Sequence, residues 1–183
     1  MEKIIKATTL AISLVLAIAL VQEVTEHKIG QLAHAQALDT PEIVTAKERE
    51  RQLECLTINI YREAGYESFE GKVGVAQVTM NRVNSSDFPN DVCAVVYQKT
   101  KFTGRVVCQF SWYCDSKHRN RPLGPGHEES YEVAKRVLLE DFRLPGLDDA
   151  LYYHADYVHP RWKKLERIQQ IGTHIFYKPR EKG

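Results

Sequence analysis

Three stretches with apolar residues at helical spacing, followed by two short runs rich in Tyr, Ile and Phe, predict an α+β domain, mainly helical with a small antiparallel β ribbon. The first helix is expected over residues 46–63, where Leu53, Leu56 and Ile60 recur three and four residues apart and Gly65 supplies a stop. The second, over 69–84, puts Val73, Ala76, Met80 and Val83 on one face and Glu70 in its first turn, the favourable end of the helix dipole for an acid. Asn84-Ser85-Ser86-Asp87 with Pro89 marks a loop, and residues 91–98 read as a short helix. Residues 99–125 read as loop, though an aromatic one, with Phe102, Phe110, Trp112 and Tyr113. A third helix is expected over 128–142 on a stripe of Tyr131, Ala134, Val137 and Leu138, ended by Leu144-Pro145-Gly146. Residues 150–155 and 173–178 read as the two strands of the ribbon, with 156–170 as a long excursion between them.

The 183 residues suit one compact domain plus an N-terminal appendage, and 43% hydrophobic residues are ordinary for a globular core. A formal net charge of +1 gives no global attraction to nucleic acid, and no nucleic-acid partner is expected. Lys3 and Lys6 precede an uncharged apolar run over 7–22, which reads as an export signal. Residues 1–22 are therefore assigned to a signal peptide or signal anchor, 23–45 to a polar linker and 46–183 to the folded domain. Ala35-Gln36-Ala37 has the small-x-small form of a cleavage site but lies well past the apolar run, so cleavage and a retained inner-membrane anchor both stand. Either way the domain faces out of the cytoplasm, to the periplasm or the wall.

All four cysteines fall in that domain, where an oxidising compartment favours disulfides. Of the three pairings, Cys55 with Cys93 and Cys108 with Cys114 is favoured, against the alternative that some are buried free thiols. No Cys-x-x-Cys pair suggests zinc. His154-x-Asp156-x-x-His159 has metal-binding residue types at a spacing that is no familiar zinc signature, so no metal and no cofactor are expected. His118, His127 and His174 are isolated and receive no role.

The stretch Tyr61-Arg62-Glu63-Ala64-Gly65-Tyr66-Glu67 ends a helix on a carboxylate, then turns. A glutamate in the last helical turn faces the negative end of the dipole, which favours its protonated form, the form a general acid needs. The order of residues around it, Glu63-Ala64, Glu67-Ser68-Phe69-Glu70-Gly71-Lys72-Val73, Val75-Ala76-Gln77-Val78, Asn81-Arg82-Val83 and Phe88-Pro89, resembles the catalytic segment of the SleB/CwlJ family of cell wall hydrolases, the enzymes that degrade spore cortex. Gln109-Phe110-Ser111-Trp112 with Asp115 looks like a second family block. Ala150-Leu151-Tyr152-Tyr153-His154, Trp162 and Ile171-Gly172-Thr173-His174-Ile175-Phe176 look like its C-terminal strand pair. The chain departs from the family at the turn, with Arg62 where a glycine is usual and Gly65-Tyr66 where Arg-Gly is usual.

The resemblance implies a lysozyme-like, two-lobed domain with catalytic Glu63 between the helical lobe and the ribbon. It also implies peptidoglycan glycan strands as substrate. Ordinary glycosidases need two carboxylates, yet only Glu63 stands out. Glu67 and Glu70 match the family pattern but read as capping or pairing residues, with Lys72 or Arg82 as partners. A lytic transglycosylase resolves the shortage, because the C6 hydroxyl of N-acetylmuramic acid attacks its own anomeric carbon and Glu63 serves as acid and then base. The expected cut is the β-1,4 bond between N-acetylmuramic acid and N-acetylglucosamine, leaving a 1,6-anhydro end. Gln77, Asn81, Gln109, Ser111 and Tyr153 are candidates to hold the sugar or orient Glu63, and Phe110 and Trp112 to stack on it, with the alternative that these two rings serve a core. The competing readings are a hydrolytic muramidase, a zinc-dependent amidase and a non-catalytic wall-binding protein. A phage endolysin of the signal-anchor-release kind is one setting for the activity.

Overall fold

The computed structural model describes residues 45–180 together with Gln22, so the leader expected over 1–22 and most of the linker lie outside the described residues. No described helix is long and apolar enough to cross a membrane. From Thr45 onward the chain forms one compact unit.

Helix α1 (Ala46–Ala64) starts where the Thr45 hydroxyl accepts from the Glu48 backbone N–H at 3.1 Å, satisfying one of the orphan donors of the first turn. Its stripe of Leu53, Leu56 and Ile60 is buried as the periodicity requires. The helix stops at Gly65, where a Cβ would strike the Tyr61 carbonyl. Helix α2 (Phe69–Val83) is capped by Ser68, whose hydroxyl accepts from the Gly71 N–H at 3.3 Å. The sequence placed one apolar face on α2; in fact every residue from Gly71 to Thr79 is buried, and α2 is the central element. Gly74 makes this possible on one side, because a Cβ there would run into the Phe176 ring.

Short α3 (Val92–Val96) begins at Asp91, whose carboxylate caps the Ala94 N–H at 2.8 Å, and Cys93 on it is bonded to Cys55 of α1. The chain then forms a hairpin, β1 (Lys99–Phe102) and β2 (Arg105–Cys108), where the sequence indicated loop. Its turn is Thr103-Gly104, both at positive φ, and β2 is exposed up to Cys108, so no inside-outside alternation announces it. Two single-turn helices follow, α4 (Ser111–Cys114) and α5 (Ser116–Arg119), the first tied to β2 by the Cys108–Cys114 disulfide.

Helix α6 (His127–Leu139) packs on α1 and α2 through Val133, Ala134 and Val137. It ends three residues short of the expected 142. Asp141 takes a left-handed φ of 53°, and the Arg143 guanidinium takes up the Val137 carbonyl at 2.7 Å. The ribbon has three strands rather than two: β3 (Tyr152–Ala155), β4 (Leu165–Ile171) and β5 (His174–Pro179), ordered β3-β5-β4 and antiparallel throughout. Strand β4 occupies part of the supposed excursion. A register shift between Arg167 and Gln169 breaks its alternation, so Leu165, Ile168 and Ile171 recur every three residues and hide the strand from a period-two reading.

Candidate active site

The apolar core leaves several polar side chains buried on α1 and α2, and their partners show what each does. Gln77 is fully buried, its amide donating to the Leu144 carbonyl at 3.3 Å and accepting from the Leu144 N–H at 2.8 Å. Asn81 donates to the carbonyls of Leu147 and Ala150 at 2.8 and 2.9 Å. Both were expected to hold the sugar or to orient Glu63. They instead fix the loop between α6 and β3, satisfying backbone groups that no strand or helix pairs.

A similar correction applies to the aromatic block. Phe110 and Trp112 are 3% and 6% exposed and belong to the helical core, so neither ring faces a sugar. The Trp112 indole N–H donates to Asn59 Oδ1 at 3.0 Å, and the Asn59 amide donates to the Thr79 hydroxyl at 3.2 Å, which links α4 to α1 and α2. Ser111 is exposed and does not line the cleft described below. Gln109 does not line it either. With its amide oxygen turned to the guanidinium, it accepts from both terminal nitrogens of Arg82 at 3.1 Å.

Glu63 and Tyr153 do come together. The end of α1 and strand β3 bring the Tyr153 hydroxyl to Glu63 Oε2 at 3.0 Å, the phenol donating. Burial pushes the Glu63 carboxyl up from its ordinary value, against the pull of the Tyr153 hydrogen bond and of the Arg82 charge. The sequence assigned this preference for the acid form to the helix dipole; the dominant cause is desolvation. Burial likewise pushes the Tyr153 phenol well up, with the Glu63 charge adding to it, so the phenol keeps its proton. Edge-on contact with His174 at 5.1 Å and the tilted ring of Phe176 at 5.8 Å hold the tyrosine ring in place.

Arg82, a residue of the family pattern given no role of its own, is buried on α2. It donates to the Leu151 carbonyl at 2.8 Å and lies over the faces of Phe88, Phe110 and Tyr152 at 5.2, 5.2 and 5.9 Å. This places a fixed cation behind Glu63.

Glu63 lines a cleft of about 240 Å³ with Tyr61, Arg62, Tyr66, Glu67, Tyr157, Thr173 and His174. Glu67 is the other carboxylate lining it, and both Thr173 groups, the backbone N–H at 3.2 Å and the hydroxyl, donate to Glu67. Burial alone would raise the Glu67 carboxyl, but these two hydrogen bonds, with His174 and Lys72, hold it below its ordinary value. Gly172 (φ 56°) sits so close that a Cβ would collide with that carboxylate. Lys72, only 2% exposed, supports the same junction by donating to the Glu67 carbonyl and to Glu129 on α6, both at 2.8 Å. Glu67 is thus a buckle between the α1–α2 turn and the β4–β5 turn.

His174 lines the cleft, is buried, and has Nδ1 without a hydrogen-bond partner; desolvation lowers it, favouring neutral imidazole. His154 offers no metal ligand, since its ring nitrogens meet the Ala155 carbonyl at 2.8 Å and the Tyr177 hydroxyl at 2.9 Å. Among the described residues no group of His, Cys, Asp and Glu gathers as a metal site. The exposed aromatic rings on the cleft are Tyr66 and Tyr157, 87% and 79% exposed. Sequence reasoning missed both. Tyr66 sits at the departure from the family pattern, which was a visible signal, whereas Tyr157 carried none.

The cell wall hydrolase family matches residues 66–177 of this chain. The spore cortex-lytic enzyme of Bacillus cereus is 34% identical over 124 residues, 65% of this chain and 41% of that protein. The enzyme of the same description from Bacillus subtilis is 31% identical over 122 residues, 64% of this chain and 34% of that protein. The chain spans less than half the length of these curated relatives. Among solved structures, the catalytic domain of the Bacillus cereus SleB protein superposes with a TM-score of 0.52 at 26% identity, over 75% of this chain and 94% of that one. The catalytic domain of the germination-specific lytic transglycosylase SleB from Bacillus anthracis gives 0.53 at 27%, over 76% and 100%. The lysozyme-like α+β architecture expected from the sequence is the one these catalytic domains share with this chain.

Proposed function

This chain belongs to the cell wall hydrolase family, and from that footing we propose that it is a lytic transglycosylase, cutting the β-1,4 bond between N-acetylmuramic acid and N-acetylglucosamine in peptidoglycan. The observation that carries the reading is the inequality of the two carboxyl groups lining the cleft. Glu63 is desolvated and held toward its acid form, while Glu67 is engaged by Thr173 and held as carboxylate. A two-carboxylate hydrolase needs a second free group to act as nucleophile or to activate water. Glu67, pinned from two sides under Gly172, is poorly placed for either.

One carboxyl group suffices when the substrate supplies the nucleophile. Glu63 gives its proton to the glycosidic oxygen as the C1–O4 bond breaks, leaving the N-acetylglucosamine side as an alcohol. The C6 hydroxyl oxygen of the muramic acid bonds to C1, and its proton returns to the Glu63 carboxylate, which restores the starting acid. The carboxylate must be tolerable in between, and Tyr153 and Arg82 supply that tolerance, since both favour the ionised form. Tyr66 and Tyr157 are offered as the rings that stack on sugar faces, the task first assigned to Phe110 and Trp112. Such a substrate lies outside the cytoplasm, and Lys3, Lys6 and the apolar run over 7–22 support export of the domain.

The test is Glu63→Gln with mass spectrometry of digested wall. The parent should release anhydro-muropeptides, and the variant should lose at least ~1000-fold in rate while still binding wall. Reducing-end sugars from the parent would make it a muramidase instead, freed stem peptides an amidase, and undiminished clearing by the variant would refute the role of Glu63.

A further inference from the structure

Arg62, His118 and Arg121 also line the cleft that holds Glu63. His118 is accounted for, being paired with Asp115 at 2.8 Å. Neither arginine forms an ion pair among the described residues. They are nevertheless held together. One terminal nitrogen of Arg62 donates to the Arg121 carbonyl at 2.6 Å and more weakly to the Arg119 carbonyl at 3.4 Å, clamping the segment after α5 to the end of α1. Arg62 Nε is buried with no partner. Two cations are thus set at one cleft with neither paired to an acid, since Glu63 is turned to the Tyr153 hydroxyl and the Glu67 carboxylate to Thr173. Guanidinium groups left without an acid partner attract a ligand of the opposite charge.

In peptidoglycan the anionic groups near the scissile bond are carboxylates on the lactyl arm of muramic acid: those of the stem peptide where the arm carries one, since the lactyl carboxyl is then an amide, and the lactyl carboxylate itself only where the stem has been removed. We infer that Arg62 and Arg121 form a subsite for a carboxylate of this muramyl side arm, so that the chain selects glycan by the charge of the arm as well as by its sugars. This rests on the transglycosylase reading for the identity of the substrate. Arg121 is the side chain to perturb, because it is exposed and its own guanidinium bonds to no protein group among the described residues, whereas Arg62 also builds the clamp.

The experiment measures binding of purified glycan strands to Glu63→Gln protein, with and without Arg121→Gln, using three ligands: strands with intact stems, the same strands with their stem carboxylates converted to amides, and amidase-stripped strands whose only carboxylate is the lactyl one that the amidase frees. Amidation should weaken binding to Glu63→Gln about tenfold, the loss of one charge-assisted contact. Adding Arg121→Gln should weaken binding of intact strands by a similar factor and remove the response to amidation. Stripped strands that bind like intact ones show that the lactyl carboxylate freed by the amidase can take the place of a stem carboxylate in the subsite, and stripped strands that bind weakly confine the subsite to a carboxylate of the stem. Equal binding of intact and amidated strands, or a response to amidation that survives Arg121→Gln, overturns the inference. Since binding is read on inactive protein, products without anhydro ends from the parent would sink the transglycosylase reading while leaving this result standing.

Discussion

Replacing Tyr153 by Phe removes one oxygen and leaves the ring packed between His174 and Phe176. The lost interaction is the 3.0 Å hydrogen bond to Glu63 Oε2. A hydrogen bond to a neutral acid is worth about 1 kcal/mol and one to an ionised carboxylate about 2–2.5 kcal/mol, so the phenol favours the carboxylate by about 1–1.5 kcal/mol. That difference is realised only as the proton leaves Glu63, so it belongs to the transition state, and its loss should lower kcat about tenfold with little change in KM. The pH response has a definite sign. Burial raises the Glu63 pKa and the phenol opposes it; without the phenol Glu63 keeps its proton to higher pH. The alkaline limb of the kcat/KM profile, where the acid form is lost, should therefore move to higher pH. The assay is release of anhydro-muropeptides from purified glycan across a pH series, for parent and Tyr153→Phe. A kcat within twofold of the parent, or a limb displaced toward acid, would refute the balance assigned to Glu63.

Two further outcomes concern stability. Glu67 has a folded pKa below its unfolded value, so its contribution is present above about pH 4.5, the ordinary glutamate value, and is lost as pH falls through the folded value. Glu67→Gln should therefore flatten the acid side of a Tm-against-pH curve, and an unchanged acid limb would remove Glu67 from the buckle. The disulfides differ in the loops they close, 38 residues for Cys55–Cys93 and 6 for Cys108–Cys114. Chain-entropy arithmetic gives about 4 and about 2 kcal/mol respectively. Paired Cys→Ala variants compared in urea should show the first loss as the larger, and the reverse order would mean that local strain or residual structure, not loop length, governs these bonds.

What could be read in the sequence followed period and punctuation. Helix α1 announced itself through Leu53, Leu56 and Ile60 ahead of the stop at Gly65, and it ends within a residue of the expectation. Helix α2 was placed, but its burial on all sides was not, because Gly71, Gly74 and Thr79 are not read as interior by an apolar stripe, although close approach by Phe176 makes Gly74 so. Strand β4 was invisible behind its bulge. Glu63 and Tyr153, singled out because each sits in a family block, are brought together by the end of α1 and strand β3. Gln77 and Asn81 were legible as residues needing partners, but sequence cannot tell a sugar hydroxyl from the carbonyls of Leu144, Leu147 and Ala150. The rings of Phe110 and Trp112 failed for a related reason: an aromatic in an apparent loop carries no sign of which way it faces, and here both turn into the helical core.

The departures from the family pattern at the turn bear on how one scaffold changes its selectivity. A substitution beside the acid could have redirected Glu63, yet Glu63 still meets Tyr153. Gly65 is required where it stands, since a side chain there would hit the Tyr61 carbonyl, and Gly126 brings the start of α6 against the Gly65 carbonyl from the other side. The turn is therefore fixed by backbone contacts that do not involve the side chains of Arg62 and Tyr66. Those two side chains both line the cleft, one as a cation that clamps residues 119–121 and one as an almost fully exposed ring. On the transglycosylase proposal the chemistry falls to Glu63, Tyr153 and Arg82 behind the turn, and recognition to the residues the turn projects. Changing the second set without disturbing the first is what a rigid, glycine-packed junction permits.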